Sequence, residues 1–329
     1  MPQIRWVRTN HPETETWRYL RLFSNDSYVA ALVGNEAAKA QIVSCIRQAA
    51  EIYNVSKFAS ILTKPMLLYY GMQRLAKALI FLKNPTVNIG NLRNHGLSSA
   101  GLSDKIQSFP RNKITKTRTG IFPEFAKCST KNNVLLKKTV YKEKDYHSTE
   151  YWVDECDIPE FLTASTFSVN GLFSLIPELN DLFWNFKMTN SLVLCGYSIR
   201  QHPTGEFDTL LNLHKDFDLD FFKARFPTIK EYNLLGEDEY TFHIARQGKK
   251  DVKIPRPLVQ AENGEIFFIT STKDSEKISD MNVHYILMFL LCHIARYKAP
   301  LWREIIEGVE KSKYISLIEK FIEVSETKF

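Results

Sequence analysis

Thr63-Lys-Pro-Met-Leu-Leu-Tyr-Tyr-Gly-Met-Gln-Arg-Leu-Ala-Lys-Ala-Leu-Ile-Phe-Leu-Lys-Asn-Pro85 is the stretch on which the reading of this chain turns. Leu68, Met72, Leu75, Leu79 and Leu82 step by 4, 3, 4 and 3, so they form one apolar stripe on an α-helix. Thr63 is placed to cap it and Pro65 is tolerated in its first turn. Asn84-Pro85 closes it, because a residue before proline avoids the helical region. Just upstream, Ala38, Ile42, Cys45, Ala49 and Ile52 repeat the same steps behind Asn35, a second cap. The two helices are expected to pack as an antiparallel pair.

Working outward, the C-terminal end is helical as well. Ser279 or Asp280 caps a segment running to Tyr297, Pro300 opens another, and Ile315, Ile318, Phe321 and Ile322 mark a last amphipathic one. Gly171 to Phe186 and Ile158 to Thr163 also read as helix. Between the ends, Val134 to Leu136, Thr139 to Tyr141, Ser191 to Ile199 and Tyr240 to Ala245 read as strands. Asn263-Gly264, flanked by Leu258 to Gln260 and Glu265 to Thr270, signals a hairpin with a two-residue turn. The fold class expected is α+β, with helices from both chain ends packed together and a mainly antiparallel β region inserted between them. Residues 1–110 form the N-terminal helical part, 111–275 the β-rich middle, and 276–329 the helices that pack back.

Composition fits a packed globular chain. Its 329 residues are 44% hydrophobic, 12% aromatic and 24% charged, and Lys+Arg 43 against Asp+Glu 37 gives +6. The positive excess is local: Arg111 to Lys144 holds ten basic residues against two acidic ones. Arg111, Lys113, Lys116, Arg118, Lys137 and Lys138 are its candidate anion or partner contacts. Five scattered cysteines without Cys-x-x-Cys spacing fit a reducing compartment. The first ten residues lack the apolar run of a signal peptide, and the longest apolar stretch, Tyr285 to Cys292, is far short of a bilayer span. The expectation is a cytoplasmic protein without membrane contact, cofactor or metal site. Phosphate loops, Gly-x-Gly-x-x-Gly and His-Glu-x-x-His are missing, which lowers the case for an NTPase, dehydrogenase or zincin.

Two local clusters remain. In Asn91-Leu-Arg-Asn-His-Gly-Leu97, Arg93 can fix a phosphate and His95 can act as a general base on a ribose hydroxyl. Structurally, His95 can instead bond a backbone carbonyl while Gly96 supplies a positive φ. Tyr70, Arg74 and Lys77 share a helix face by i, i+4, i+7 spacing and form a candidate anion site opposite that loop. His293 interrupts an apolar run and reads as a buried, satisfied histidine. His284, nine residues earlier, is half a turn out of phase with it.

Lys64-Pro-Met-Leu-Leu-Tyr-Tyr-Gly-Met72, the triplet His95-Gly96-Leu97, and Ala295-Arg296-Tyr297 with Pro300 and Trp302 together resemble the YaaC-like family of Firmicutes. The resemblance implies a cytosolic protein whose genes often neighbour that of IMP dehydrogenase, and so a link to purine metabolism with that enzyme as partner. The Tyr69-Tyr70 helix followed by a loop histidine is also similar to HEPN-type helical domains, many of them ribonucleases. Those separate their arginine and histidine by several residues, whereas Arg93 and His95 have one between them. The function expected is a regulatory or scaffolding protein that binds a partner protein. The alternative is a metal-independent ribonuclease, or a binder of RNA or nucleotides, using Arg93 and His95.

Overall fold

The structure is a computed structural model that describes residues 12–129, 131–142, 146–157, 166–201, 207–214, 220, 222, 224, 232–235, 239–247, 258–263, 265–270, 278–307 and 313–329. For much of the strands between 131 and 247 the description is of the backbone. The class is α+β.

A helical unit gathers Thr9–Lys131, Ile158–Thr189 and Lys277–Phe329. Its described helices are α1 (Pro12–Leu20), α2 (Asp26–Ala30), α3 (Glu36–Ser56), α4 (Lys64–Lys83), α5 (Ile121–Cys128), α6 (Val169–Phe173), α7 (Asn180–Asn185), α8 (Asp280–Tyr297), α9 (Ala299–Glu307) and α10 (Lys313–Lys328). Asn35 caps α3 by accepting from the Ala38 amide at 2.9 Å, a bond worth about 1 kcal/mol. Thr63 makes no side-chain cap, and α4 starts instead on Pro65. The helix pair runs antiparallel: Gly71 faces Tyr53 and Ile52, while Arg74 and Lys77 reach back to Cys45. Gly71 is what allows that approach, since a Cβ there would sit 2.6 Å from the Tyr53 ring.

α8 is the centre of this unit. Val283 to Cys292 are buried without a break, so the helix has no solvated stripe over that length and is packed on all sides. Ser279 caps it, accepting from the Asn282 amide at 3.2 Å. α10 is held on α8 by a buried charge cluster in which Lys328 Nζ lies 2.9 Å from Asp280 and 2.9 Å from Glu178. Burial disfavours the Lys328 cation, but the two carboxylates outweigh it and hold its pKa above the ordinary value. Beside them, His284 Nδ1 is 2.7 Å from Ser325 Oγ and its ring stacks on Phe321. Glu326 joins α10 to the α3–α4 end through Lys64 at 2.6 Å and Ser56 at 3.3 Å. Helices from both chain ends thus share one core.

The same unit contains a small antiparallel sheet, ordered β1 (Leu97–Ser98), β2 (Lys113–Lys116) and β5 (Thr166–Ser168). Segments 111–131 and 158–189 therefore belong with the helices, and the boundary expected at residue 111 gives way to a break after Lys131. The helix expected over Gly171 to Phe186 is divided into α6, a 3-10 turn at Pro177–Leu179 and α7, because Pro177 cannot continue a helix. The helix expected over Ile158 to Thr163 lies outside the described residues.

The second unit consists chiefly of Asn132–Asp157 and Asn190–Glu276. β3 (Lys131–Lys142) pairs with β4 (Tyr146–Asp157), and a six-stranded sheet has the order β10-β11-β6-β7-β9-β8. Here β6 is Leu192–Gln201, β7 Phe207–His214, β8 Tyr232–Leu235, β9 Glu239–Gln247, β10 Leu258–Gln260 and β11 Ile266–Ile269. All described pairings in the six-stranded sheet are antiparallel. β11 is buried on both faces, with Phe268 against Phe222. The β10–β11 turn is longer than the two residues expected, since the Ala261 amide donates to Glu265 O and leaves 262–264 as the connection. Gly264 itself is outside the described residues.

This division redistributes the basic segment. Arg111, Lys113, Lys116 and Arg118 stay with the helices, while Lys137 and Lys138 lie on β3 in the other unit. Within β2 the pleat alternates sides, so exposed Lys113 and half-buried Lys116 point to opposite faces. Arg111 lies near Tyr314 of α10, and Arg118 sits in the turn before α5. The charge run of residues 111–144 is thus divided between the two units rather than carried by one of them.

Candidate anion-binding site

The loop carrying His95 is fastened before its ring makes any contact. Gly96 adopts φ 77°, a conformation that L side chains rarely take. The Ile121 and Phe122 amides, which open α5 and have no partner within that helix, donate to the carbonyls of Asn94 and His95 at 3.0 Å each. Thr117 N–H donates to Gly96 O at 3.0 Å. A Cβ on Gly96 would meet Pro123 and come 2.8 Å from Phe122 N, so the loop closes on α5 only with glycine there.

The imidazole then points onto α4. His95 Nδ1 is 2.8 Å from Tyr69 Oη and 2.9 Å from Gln73 Nε2, and its ring packs against Tyr69 and Phe289. An amide nitrogen only donates, so Nδ1 is the acceptor and the proton of the neutral ring sits on Nε2. Burial lowers the His95 pKa first, and the charges of Arg296 and Lys77 lower it further. The ring partners are side chains of α4, not the backbone carbonyl that sequence alone suggested.

α8 supplies the rest. Tyr285, Phe289, His293 and Tyr297 recur every four residues, each ring in contact with the next from Phe289 onward. His293 is half-exposed, not the buried histidine expected, and its pKa is lowered by burial and then by Lys298 and His95. Arg296 Nη1 donates to Tyr70 Oη at 2.6 Å, and its guanidinium lies 4.9 Å above the ring of Tyr297, itself 62% exposed. Lys77 is half-buried with a lowered pKa, caused by burial and then by Arg74. Cations and imidazoles from α4, the His95 loop and α8 thus oppose one another's protonation. Among the described residues no carboxylate figures in the charges acting on either histidine.

Of the residues singled out in the sequence, Tyr70, Lys77 and His95 are brought together. Arg74 turns toward α3, next to Cys45. Arg93 is exposed and makes no hydrogen bond or ion pair among the described residues, and the guanidinium that acts on His95 is that of Arg296. The pairing of Arg93 with His95 is corrected accordingly: Arg93 ends a 3-10 turn at Ile89–Leu92, two residues before a ring already committed to α4. Gln73, His293 and Arg296 carry no local mark of a site in the sequence, although the four-residue ring repeat along α8 is visible there. Among the described residues no group of three or more His, Cys, Asp and Glu side chains could hold a metal ion. No described helix is long and apolar enough to cross a membrane. The thiols of Cys128, Cys195 and Cys292 are free and pushed up by burial, to about 11, 12 and 12.

The YaaC-like protein family matches residues 10–329, and the chain belongs to that family. No curated protein and no solved structure matches it.

Proposed function

We propose that this is a cytosolic regulatory protein that recognises a purine nucleotide, or a partner presenting one, at the face formed by Lys77, His95, His293 and Arg296. The observation that carries the reading is the packing of the His95 and His293 rings on Phe289, with Arg296 held at Tyr70 beside them and, among the described residues, no carboxylate acting on either imidazole. An anion entering there relieves the repulsion and accepts from Arg296 and from His95 Nε2–H. The exposed ring of Tyr297 beside Arg296 offers a surface on which a base can stack. IMP dehydrogenase, the partner implied by the family resemblance, works on purine nucleotides and suits such a site.

Calorimetric titration with IMP, AMP and inorganic phosphate tests the proposal. Arg296→Gln removes a charge-assisted contact, so affinity is expected to fall by about tenfold or more. Absence of binding to any nucleotide, or an affinity unchanged in Arg296→Gln, refutes it.

A second reading, metal-independent RNA cleavage, draws on the proximity of His95 and His293 rather than on Arg93. His293, half-exposed and neutral, is then the general base. Labelled RNA left intact by the pure protein, or cut equally by His293→Gln, ends that reading.

A further inference from the structure

Two imidazoles share the proposed nucleotide face, and their surroundings differ. His95 is half-buried, and its Nδ1 is met by two groups of α4, Tyr69 Oη at 2.8 Å and Gln73 Nε2 at 2.9 Å. A charged imidazole carries a proton on each nitrogen, so charging His95 sets a proton on Nδ1 against the Gln73 amide nitrogen, which has no lone pair to receive it. Gln73 is buried, and turning its amide away would leave that donor unpaired in the core.

His293 has no such tie. It stands between the rings of Phe289 and Tyr297, at 6.2 and 4.9 Å, and makes no hydrogen bond among the described residues. The charges around it are of one sign. Lys298 at the end of α8 and His95 from its loop both disfavour a cation there. On the α4 side, Arg296 is held at Tyr70, and Lys77 acts on His95. The carboxylate of Asp104 is bound to Lys298 and does not figure among the charges acting on His293. An entering anion is thus the counter-charge that His293 lacks.

We infer that the two imidazoles divide the work of this face: His95 stays a neutral N–H donor held by Gln73 and Tyr69, and His293 takes up a proton from solvent when the anion binds. This rests on the nucleotide reading proposed above and adds its regulation by pH. With His293 neutral in the free protein and charged in the complex, affinity rises as pH falls, until the free protein is protonated as well.

Calorimetric titration of the full chain with AMP, from about pH 8 to about pH 6, compares wild type with His293→Gln and His95→Gln. The second ionisation of AMP itself, at about 6, is common to all three proteins and cancels in the comparison. Wild type is expected to gain about tenfold more affinity over that interval than His293→Gln, whereas His95→Gln binds more weakly but keeps the wild-type pH dependence. Imidazole nitrogen shifts at about pH 7 should show His293 gaining a proton as AMP is added while His95 Nδ1 stays bare. AMP binding with the same pH dependence in wild type and His293→Gln overturns this inference alone, as does a His95 ring that becomes charged. Wild type that binds no AMP at any pH removes the nucleotide reading with it.

Discussion

His284 makes acid the most informative perturbation of the helical unit. Its imidazole is fully buried between α8 and α10, and burial pulls its pKa from 6.5 down to about 4. Asp280, 3.7 Å from Nε2, and Glu178 favour the charged ring, Lys328 opposes it, and burial outweighs them all. The folded state therefore holds His284 neutral while the unfolded chain protonates it near 6.5. The resulting stabilisation is complete above that pH and is lost as pH falls from 6.5 through about 4, amounting to about 3 kcal/mol in total. By about pH 5 roughly 2 kcal/mol of it is gone. Urea denaturation followed by far-ultraviolet circular dichroism measures this in wild type and in His284→Asn, which retains a polar partner for Ser325. The variant loses packing on Phe321 at every pH, so the quantity to read is the change between neutral and acid conditions. Wild type is expected to lose about 2 kcal/mol more than the variant over that interval. Equal losses in the two proteins would refute the assignment and show that the buried ring accepts its proton without cost.

Three other outcomes follow from the packing. Gly71→Ala gains about 1 kcal/mol of helix propensity but drives a methyl group into the buried Tyr53 ring, at about 1–3 kcal/mol; calorimetry should show Tm lowered by about 2–4 °C, and a raised Tm would contradict the contact. Gln73→Glu replaces a donor at His95 Nδ1 with an acceptor, so the His95 pKa should rise and Nδ1 should become protonated, as read from imidazole nitrogen shifts; an unchanged tautomer would show that Tyr69 alone governs the ring. Lys328→Met strands Glu178 and Asp280 without their shared cation and should cost about 3–5 kcal/mol in urea denaturation. A loss below about 1 kcal/mol would mean that water already serves those carboxylates.

The helices could be read from the chain because their information is local. Asn35 and Ser279 cap where a short acceptor precedes a periodic apolar run, and the antiparallel α3–α4 pair follows from two matching stripes and a short connection. Thr63 shows the limit of such reading, since the residue type was suitable and yet its side chain makes no cap. The site was legible only in part. Helical spacing marks Tyr70 and Lys77 and a glycine-flanked loop marks His95, but the arginine that lies near it in sequence, Arg93, is not the one that acts on it. The arginine that acts on His95 is some two hundred positions away. Nothing local distinguishes the two guanidinium groups.

Apolar periodicity, caps and proline breaks determined which segments are helix or strand, since each depends on a few neighbouring residues. Tertiary structure alone decided that the cations of residues 111–144 divide between two units, that His293 reaches the surface beside His95, and that Lys328 is enclosed by two acids. Electrostatic neighbours are set by distances through space between residues far apart along the chain, and those distances come into being only when the helices pack.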